Sequence, residues 1–148
     1  MSHSPSFAPL APDAIFARDF KIVRPLSHGG MGAVYVAVQL STGRERALKL
    51  MHPRLVQDER QRRRFEQEAQ VGARIESDHV VEVVGAGVDD DTGAPWLCME
   101  LLRGQDLASL IAHRGTLPPS EVLFVFRQMC HAVGAAHRVG VVLSLIHI

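Results

Sequence analysis

From Phe20 to Met51 the chain carries three strand-like runs separated by glycine-bearing turns, and a helical segment follows almost at once. In "DFKIVRPL" the alternation has period two, with Phe20 and Ile22 on one face, Arg24 in step with them, and Lys21, Val23 and Pro25 on the other. Such a period fits a half-buried pleated strand. "SHGGMG" makes a tight turn into "AVYVAVQL", which is rich in β-branched and aromatic residues. "STGR" turns the chain again into a third strand, "ERALKLM".

The stretch "DERQRRRFEQEAQVGARIES" has helical spacing, with Phe65, Ala69, Gly72 and Ile75 on one face. "HVVEVVGAGV" and "PWLCMELL" read as two more strands joined by "DDDTGA". Five strands with one helix inserted after the third predict an α+β half-domain. After Gly104 the pattern turns helical. Asp106 caps a short helix through Arg114, and Gly115 ends it. A longer helix starts at the Pro118-Pro119 pair and carries an apolar stripe of Val122, Phe126, Met129, Val133 and Ala136, with Gly140 as its stop.

At 148 residues the chain has room for one ordinary domain. Sixteen basic residues balance sixteen acidic ones, so no excess field draws it to nucleic acid or to an anionic membrane. Cys98 and Cys130 lie in apolar runs without metal-ligand spacing, and are expected as reduced packing residues. The opening "MSHSPSFAPLAPDA" lacks a basic leader and is broken by prolines, which argues against a signal peptide and for a cytoplasmic chain. Its apolar runs fall short of the roughly 20 residues that span a bilayer.

Alone, "SHGGMG" is a hairpin turn, and only with partners does it suggest a loop closing over phosphates. Lys49 shares a strand face with Ala47 and Met51, so it is expected to be partly buried and in need of a partner. Glu68 lies three positions after Phe65 and four before Gly72, on the apolar face of the one helix in this half of the chain. Burying either ion alone costs several kcal/mol, and pairing beside an anionic ligand relieves that cost. Asp89, Asp90 and Asp91 read as a solvated hairpin loop, and Arg60 to Arg64 as the solvated opening of a helix.

Glycine loop, strand lysine and helix glutamate in this order resemble a protein kinase, of the bacterial Ser/Thr type, whose loop reads close to "LGxGGMGxVYxA"; here it is "LSHGGMGAVYVA". The resemblance runs from about Phe20 to Val142 and implies a kinase-like fold: a five-stranded antiparallel lobe with one helix, then the first helices of a second lobe. It implies that Gly29 and Gly32 are the second and third loop glycines, with Ser27 at the first and Gly30 adding freedom. Leu26 and Val34 would cover an adenine ring and Ala47 would wall it from below. Lys49 would hold the α- and β-phosphates of ATP, paired with Glu68. "CMELLRG" resembles the hinge, with Met99 as gatekeeper and the backbones of Glu100 and Leu102 at the adenine edge. His28 is expected to be exposed at the turn and His137 to pack at the end of the long helix.

Ser27 departs from the pattern, and its Cβ predicts a looser closure over phosphates. The implied organisation is a flexible tail over 1–17, an ATP-binding lobe over 18–99, and the hinge with the start of the second lobe over 100–142. From Leu143 the match stops where a His-Arg-Asp motif is expected. No Asp-Phe-Gly follows, so the 148 residues as written are expected not to transfer phosphoryl groups. The adapter codons of a transposase used for sequencing libraries spell Leu-Ser-Leu-Ile-His-Ile, so 143–148 is read as a non-native scar. Protein substrates and ATP are the implied partners, with magnesium ligands and any membrane anchor further along the parent chain. Two alternatives stay open: a naturally truncated module that binds a nucleotide or a protein without catalysis, and a small-molecule phosphotransferase of related fold.

Overall fold

A computed structural model describes residues 9–29, 32–52 and 57–142. They fall into two compact units: one holds the chain up to Ala73 together with Glu82–Leu101, the other Arg74–Val81 and the chain from Leu102 on.

The first unit is a six-stranded sheet with one helix. Its strands are β1 (Ile15–Phe16), β2 (Phe20–Gly29), β3 (Gly32–Gln39), β4 (Arg44–Met51), β5 (Val83–Val88) and β6 (Pro95–Glu100). The order is β1-β2-β3-β4-β6-β5 and every neighbouring pair is antiparallel. The five expected strands are all present. The sixth, β1, lies in the segment that composition assigns to a flexible lead-in. Backbone bonds from Asp13 N–H to the Ile22 carbonyl and from Ile22 N–H to the Ala14 carbonyl hold it to β2.

Alternation sorts the side chains onto two faces. Phe20, Ile22, Ala33, Tyr35, Ala37, Leu48, Leu50 and Cys98 are buried together on one, and Leu10 and Trp96 pack against them. The Trp96 ring meets Phe20 edge-on, with centroids 5.1 Å apart. In β2 the register slips after Ile22 and again after Pro25, so Arg24 does not keep step with Ile22 and is exposed.

The opposite face of the sheet carries Met51 and Leu97, and helix α1 (Glu59–Arg74) closes over them with Phe65, while Ala69, Val83 and Met99 pack around the contact. Asp58 starts the helix by accepting the N–H groups of Arg60 and Gln61. Gly72 lets the helix approach the sheet: a Cβ there would stand 2.4 Å from a methyl of Val83. The arginines at the helix opening are exposed, and Arg62 and Arg63 pair with glutamates on the same helix.

In the second unit Asp106 caps α2 (Leu107–Arg114), its carboxylate accepting the N–H and hydroxyl of Ser109 at 2.8 Å each. Helix α3 is Pro119–Arg138. The Arg114 guanidinium grips the Glu121 carboxylate through two bonds of 2.8 and 2.9 Å, fixing the corner between the helices. The segment 74–81 packs against α3: Arg74 donates to the Val139 carbonyl, and Ser77 meets His131. Of the expected stripe on α3, Ala136 is buried, but Val122, Phe126 and Met129 are more than half exposed, at 51%, 59% and 53%. His137 is exposed, not packed, and so is Cys130. Among the described residues no helix is long and apolar enough to cross a membrane.

Candidate functional site

Antiparallel pairing sets directly opposed residues on the same face, so the register assembles a site from segments far apart in sequence. Ser27 pairs with Val34, Val34 with Lys49 and Lys49 with Leu97, one rung across four strands. The neighbouring rung runs from Val36 through Ala47 to Met99 and on to Val83. Ser27, Val34, Ala47, Lys49 and Met99 therefore share the face that α1 covers in part. His28 pairs with Ala33, and its ring lies edge-on to Tyr35 at 6.5 Å, so it belongs to the opposite face.

Gly32 stands where β3 passes β4. A Cβ on it would lie 1.9 Å from the Leu50 carbonyl oxygen, a backbone atom with no room to yield. The position is closed to any side chain. Gly29 and Leu26 are exposed on β2, and Gly30 lies outside the described residues.

Lys49 is half-buried beneath this face and its ammonium donates to both oxygens of Glu68, at 2.6 and 2.8 Å. The Phe65 ring, 6.0 Å from Nζ, walls the pair on the helix side. Glu68 is more exposed than Lys49, with 44% of its side-chain surface open against 22%. It reaches the sheet from the helix margin and not from its buried stripe. An ammonium has three protons. Among the described residues two serve Glu68, which leaves one able to donate elsewhere.

The segment leaving β6 is anchored by Glu100. Its N–H donates to the Glu82 carbonyl at 3.0 Å and its carboxylate accepts the Glu82 N–H at 2.9 Å. A ligand hydrogen bond from the Glu100 backbone therefore has to use the carbonyl oxygen. Leu102 follows, exposed, past the boundary between the units.

One anchor escaped sequence reading. Asp89, expected in a solvated loop, is buried, with one oxygen accepting the Ala17 N–H and the other the N–H and hydroxyl of Thr92. It is a structural anchor, and only Asp90 and Asp91 fit the solvated reading. Cys98 is buried on the apolar face, where desolvation pushes its thiol above the ordinary value. A groove of about 410 Å³ lies between α1 and the sheet edge, lined by Phe65, Ala69, Val88, Pro95 and Trp96. It contains none of the expected site residues.

Residues 20–144 match the family described as "Protein kinase domain". The chain is 34% identical over 134 residues to the serine/threonine-protein kinase pkn2 of Myxococcus xanthus, covering 90% of this chain and 16% of that protein. It is 36% identical over 121 residues to the serine/threonine-protein kinase PknE of Mycobacterium bovis, covering 82% of this chain and 21% of that protein. Among solved structures, the PknI kinase domain of Mycobacterium tuberculosis superposes with a TM-score of 0.75 at 33% identity, covering 90% of this chain and 54% of that one. The chain thus spans about half of a solved kinase domain and a smaller share of its curated relatives. A lysine and a glutamate joined across strand and helix, within a sequence match that takes in both units, have one common source: this chain belongs to the protein kinase family.

Proposed function

We propose that the chain is the nucleotide-binding part of an ATP-dependent protein kinase that phosphorylates serine or threonine hydroxyls of proteins. Protein kinases use ATP with magnesium. The observation that carries the reading is the Lys49–Glu68 pair, with one ammonium proton unclaimed among the described residues.

The face fits a nucleotide. Val34, Ala47 and Met99 offer apolar cover to a flat base, and the polar end of the same face is Lys49 with Ser27. ATP supplies the γ-phosphoryl group. Lys49 holds the α- and β-phosphates, and Glu68 keeps its ammonium extended toward them. Leu26, Gly29, Gly30 and Gly32 form the covering loop, in which Ser27 adds a hydroxyl where the family has a glycine. Glu100 and Leu102 present backbone groups to the base edge. This portion of the chain contributes positioning and charge stabilisation. The residues that take the proton from the hydroxyl and hold magnesium belong to the part of a kinase domain not represented in these 148 residues.

The test is made on the intact kinase. Incubation with γ-labelled ATP and a protein mixture, followed by phosphoamino-acid analysis, is expected to give phosphoserine and phosphothreonine. Lys49→Met is expected to remove nearly all of the signal while the protein stays folded. Labelling unchanged by that substitution would overturn the assignment.

A further inference from the structure

We infer that β5 is a docking strip: an extended segment of a partner protein, apolar in its middle and basic at both ends, adds to the sheet there as a further strand.

The two edges of the sheet differ. At one edge β1 is two residues long, too short to template another chain. At the other, β5 reads "VVGAGV" over Val83–Val88, with no charge and no proline. Native proteins blunt an exposed edge with lysine, proline or a bulge. The one such device in β5 is the register shift between Val83 and Gly85, and it leaves Gly85–Val88 in regular pairing.

Hydrogen-bond phase identifies the free backbone groups. The Asp89 N–H donates to the Ala94 carbonyl at 3.0 Å and the Asp89 carbonyl accepts the Gly93 N–H at 2.8 Å, so Asp89 faces β6. Groups alternate along an antiparallel strand, which turns Gly87 and Gly85 inward as well and Ala86 and Val88 outward. The N–H and carbonyl of Ala86 and of Val88 therefore point away from the sheet, and among the described residues no strand pairs with them.

Side chains set the class of partner. On one face of β5 the Trp96 indole takes the place of the missing glycine side chains: a Cβ on Gly87 would stand 2.6 Å from its ring, and one on Gly85 4.0 Å. On the other face Ala86 and Val88 are exposed, Val88 at 61%. Both faces beside the edge are apolar, which suits β-branched residues in the added strand. Charge fixes its ends. Glu82 precedes β5 and Asp90 and Asp91 follow it, all exposed, with no basic residue between Glu82 and Asp91. Arg18 reaches Asp90 only at 3.7 Å, and among the described residues Asp91 has no ionic partner. These carboxylates bracket a strip about 20 Å long at the usual strand rise. A lysine or arginine at each end of the added segment meets them.

The probe is a fluorescently labelled peptide, RVTVTVR, added to the intact kinase and followed by anisotropy and by backbone amide exchange. Binding is expected to saturate below about 1 mM and to slow exchange over Val83–Val88. The counterpart EVTVTVE is expected to bind about tenfold more weakly or worse. Ala86→Pro removes an outward N–H at a place where an edge strand accepts proline, and is expected to abolish binding at unchanged Tm. Glu82→Gln combined with Asp91→Asn is expected to weaken binding about three- to tenfold. If Ala86→Pro does not fold, this surface variant decides, and unchanged affinity overturns the inference. Absence of saturation, equal affinity for the two peptides, or slowed exchange only in other strands also overturns it. A peptide-free dimer that Ala86→Pro separates gives the edge to a second copy and overturns it too. No readout requires phosphoryl transfer, so the strip stands or falls apart from the catalytic reading.

Discussion

Nζ of Lys49 lies 2.6 Å from one oxygen of Glu68 and 2.8 Å from the other, a two-pronged contact between β4 and α1. Glu68→Gln keeps one acceptor and removes the charge. We expect this variant of the intact kinase to lose about tenfold or more in kcat, a charge-assisted bond having become a neutral one. Steady-state kinetics against ATP checks it; a kcat within twofold of wild type would refute the role given to Glu68.

Phe65 is the one side chain of α1 that is fully buried, packed on Met51 and Leu97. Truncation to alanine leaves a cavity under the helix. Phe65→Ala is expected to destabilise the first unit by about 3–5 kcal/mol. Urea denaturation followed by Trp96 fluorescence reads the change.

Gly32→Ala forces a Cβ against the Leu50 carbonyl. Neither atom sits on a flexible side chain, so the strands must separate. We expect a loss of about 2 kcal/mol or more, measured by thermal unfolding. Gly29→Ala, whose Cβ meets nothing nearer than 4.0 Å among the described residues, is the comparison that isolates the clash.

Asp106 has its carboxyl held below the ordinary value, first by the Ser109 N–H and then by the Ser109 hydroxyl. Glu121 is lowered as well, chiefly by its bond to Arg114. A depressed folded value means that the contribution is complete above the ordinary carboxylate range and lost as pH falls through the folded value. The cap of α2 and the corner between α2 and α3 are therefore expected to loosen only in strong acid. Circular dichroism against pH should show Asp106→Asn, which keeps an acceptor but no acidic proton, with a shallower acid transition than wild type.

Phe124 and Phe126 are 65% and 59% exposed on α3. Exposed aromatic side chains of this kind favour self-association. The 148-residue chain expressed alone is expected to bind apolar dyes and to associate with rising concentration. Replacing both phenylalanines with glutamine should reduce both signals in light scattering and dye fluorescence; equal behaviour of wild type and variant would exclude the patch as the cause.

Lys49 was legible in the sequence because strand alternation is a local rule with few exceptions, whereas Glu68 was found as its partner although it stands at the helix margin and not on the apolar face its spacing implied. The strand at Ile15–Phe16 was not, since two residues have no period and their place depends on backbone bonds to Ala14 and Asp13 from across the sheet. Asp89 was misjudged for a related reason. Its burial depends on the Ala17 N–H, 72 positions away, and nothing near Asp89 announces that donor. The helix caps were readable because Asp106 and its partner Ser109 are three residues apart.

The rung that joins Ser27, Val34, Lys49 and Leu97 also decides where the chain can change length over evolution. Adding one residue within β4 ahead of Lys49 would turn its ammonium to the side of Tyr35 and Leu50 and abolish the pairing with Glu68, whereas an addition at Ser41–Gly43 or Asp90–Gly93 would leave every rung in place. Insertions and deletions among natural homologues should therefore collect in those two hairpin tips and spare the strands between them.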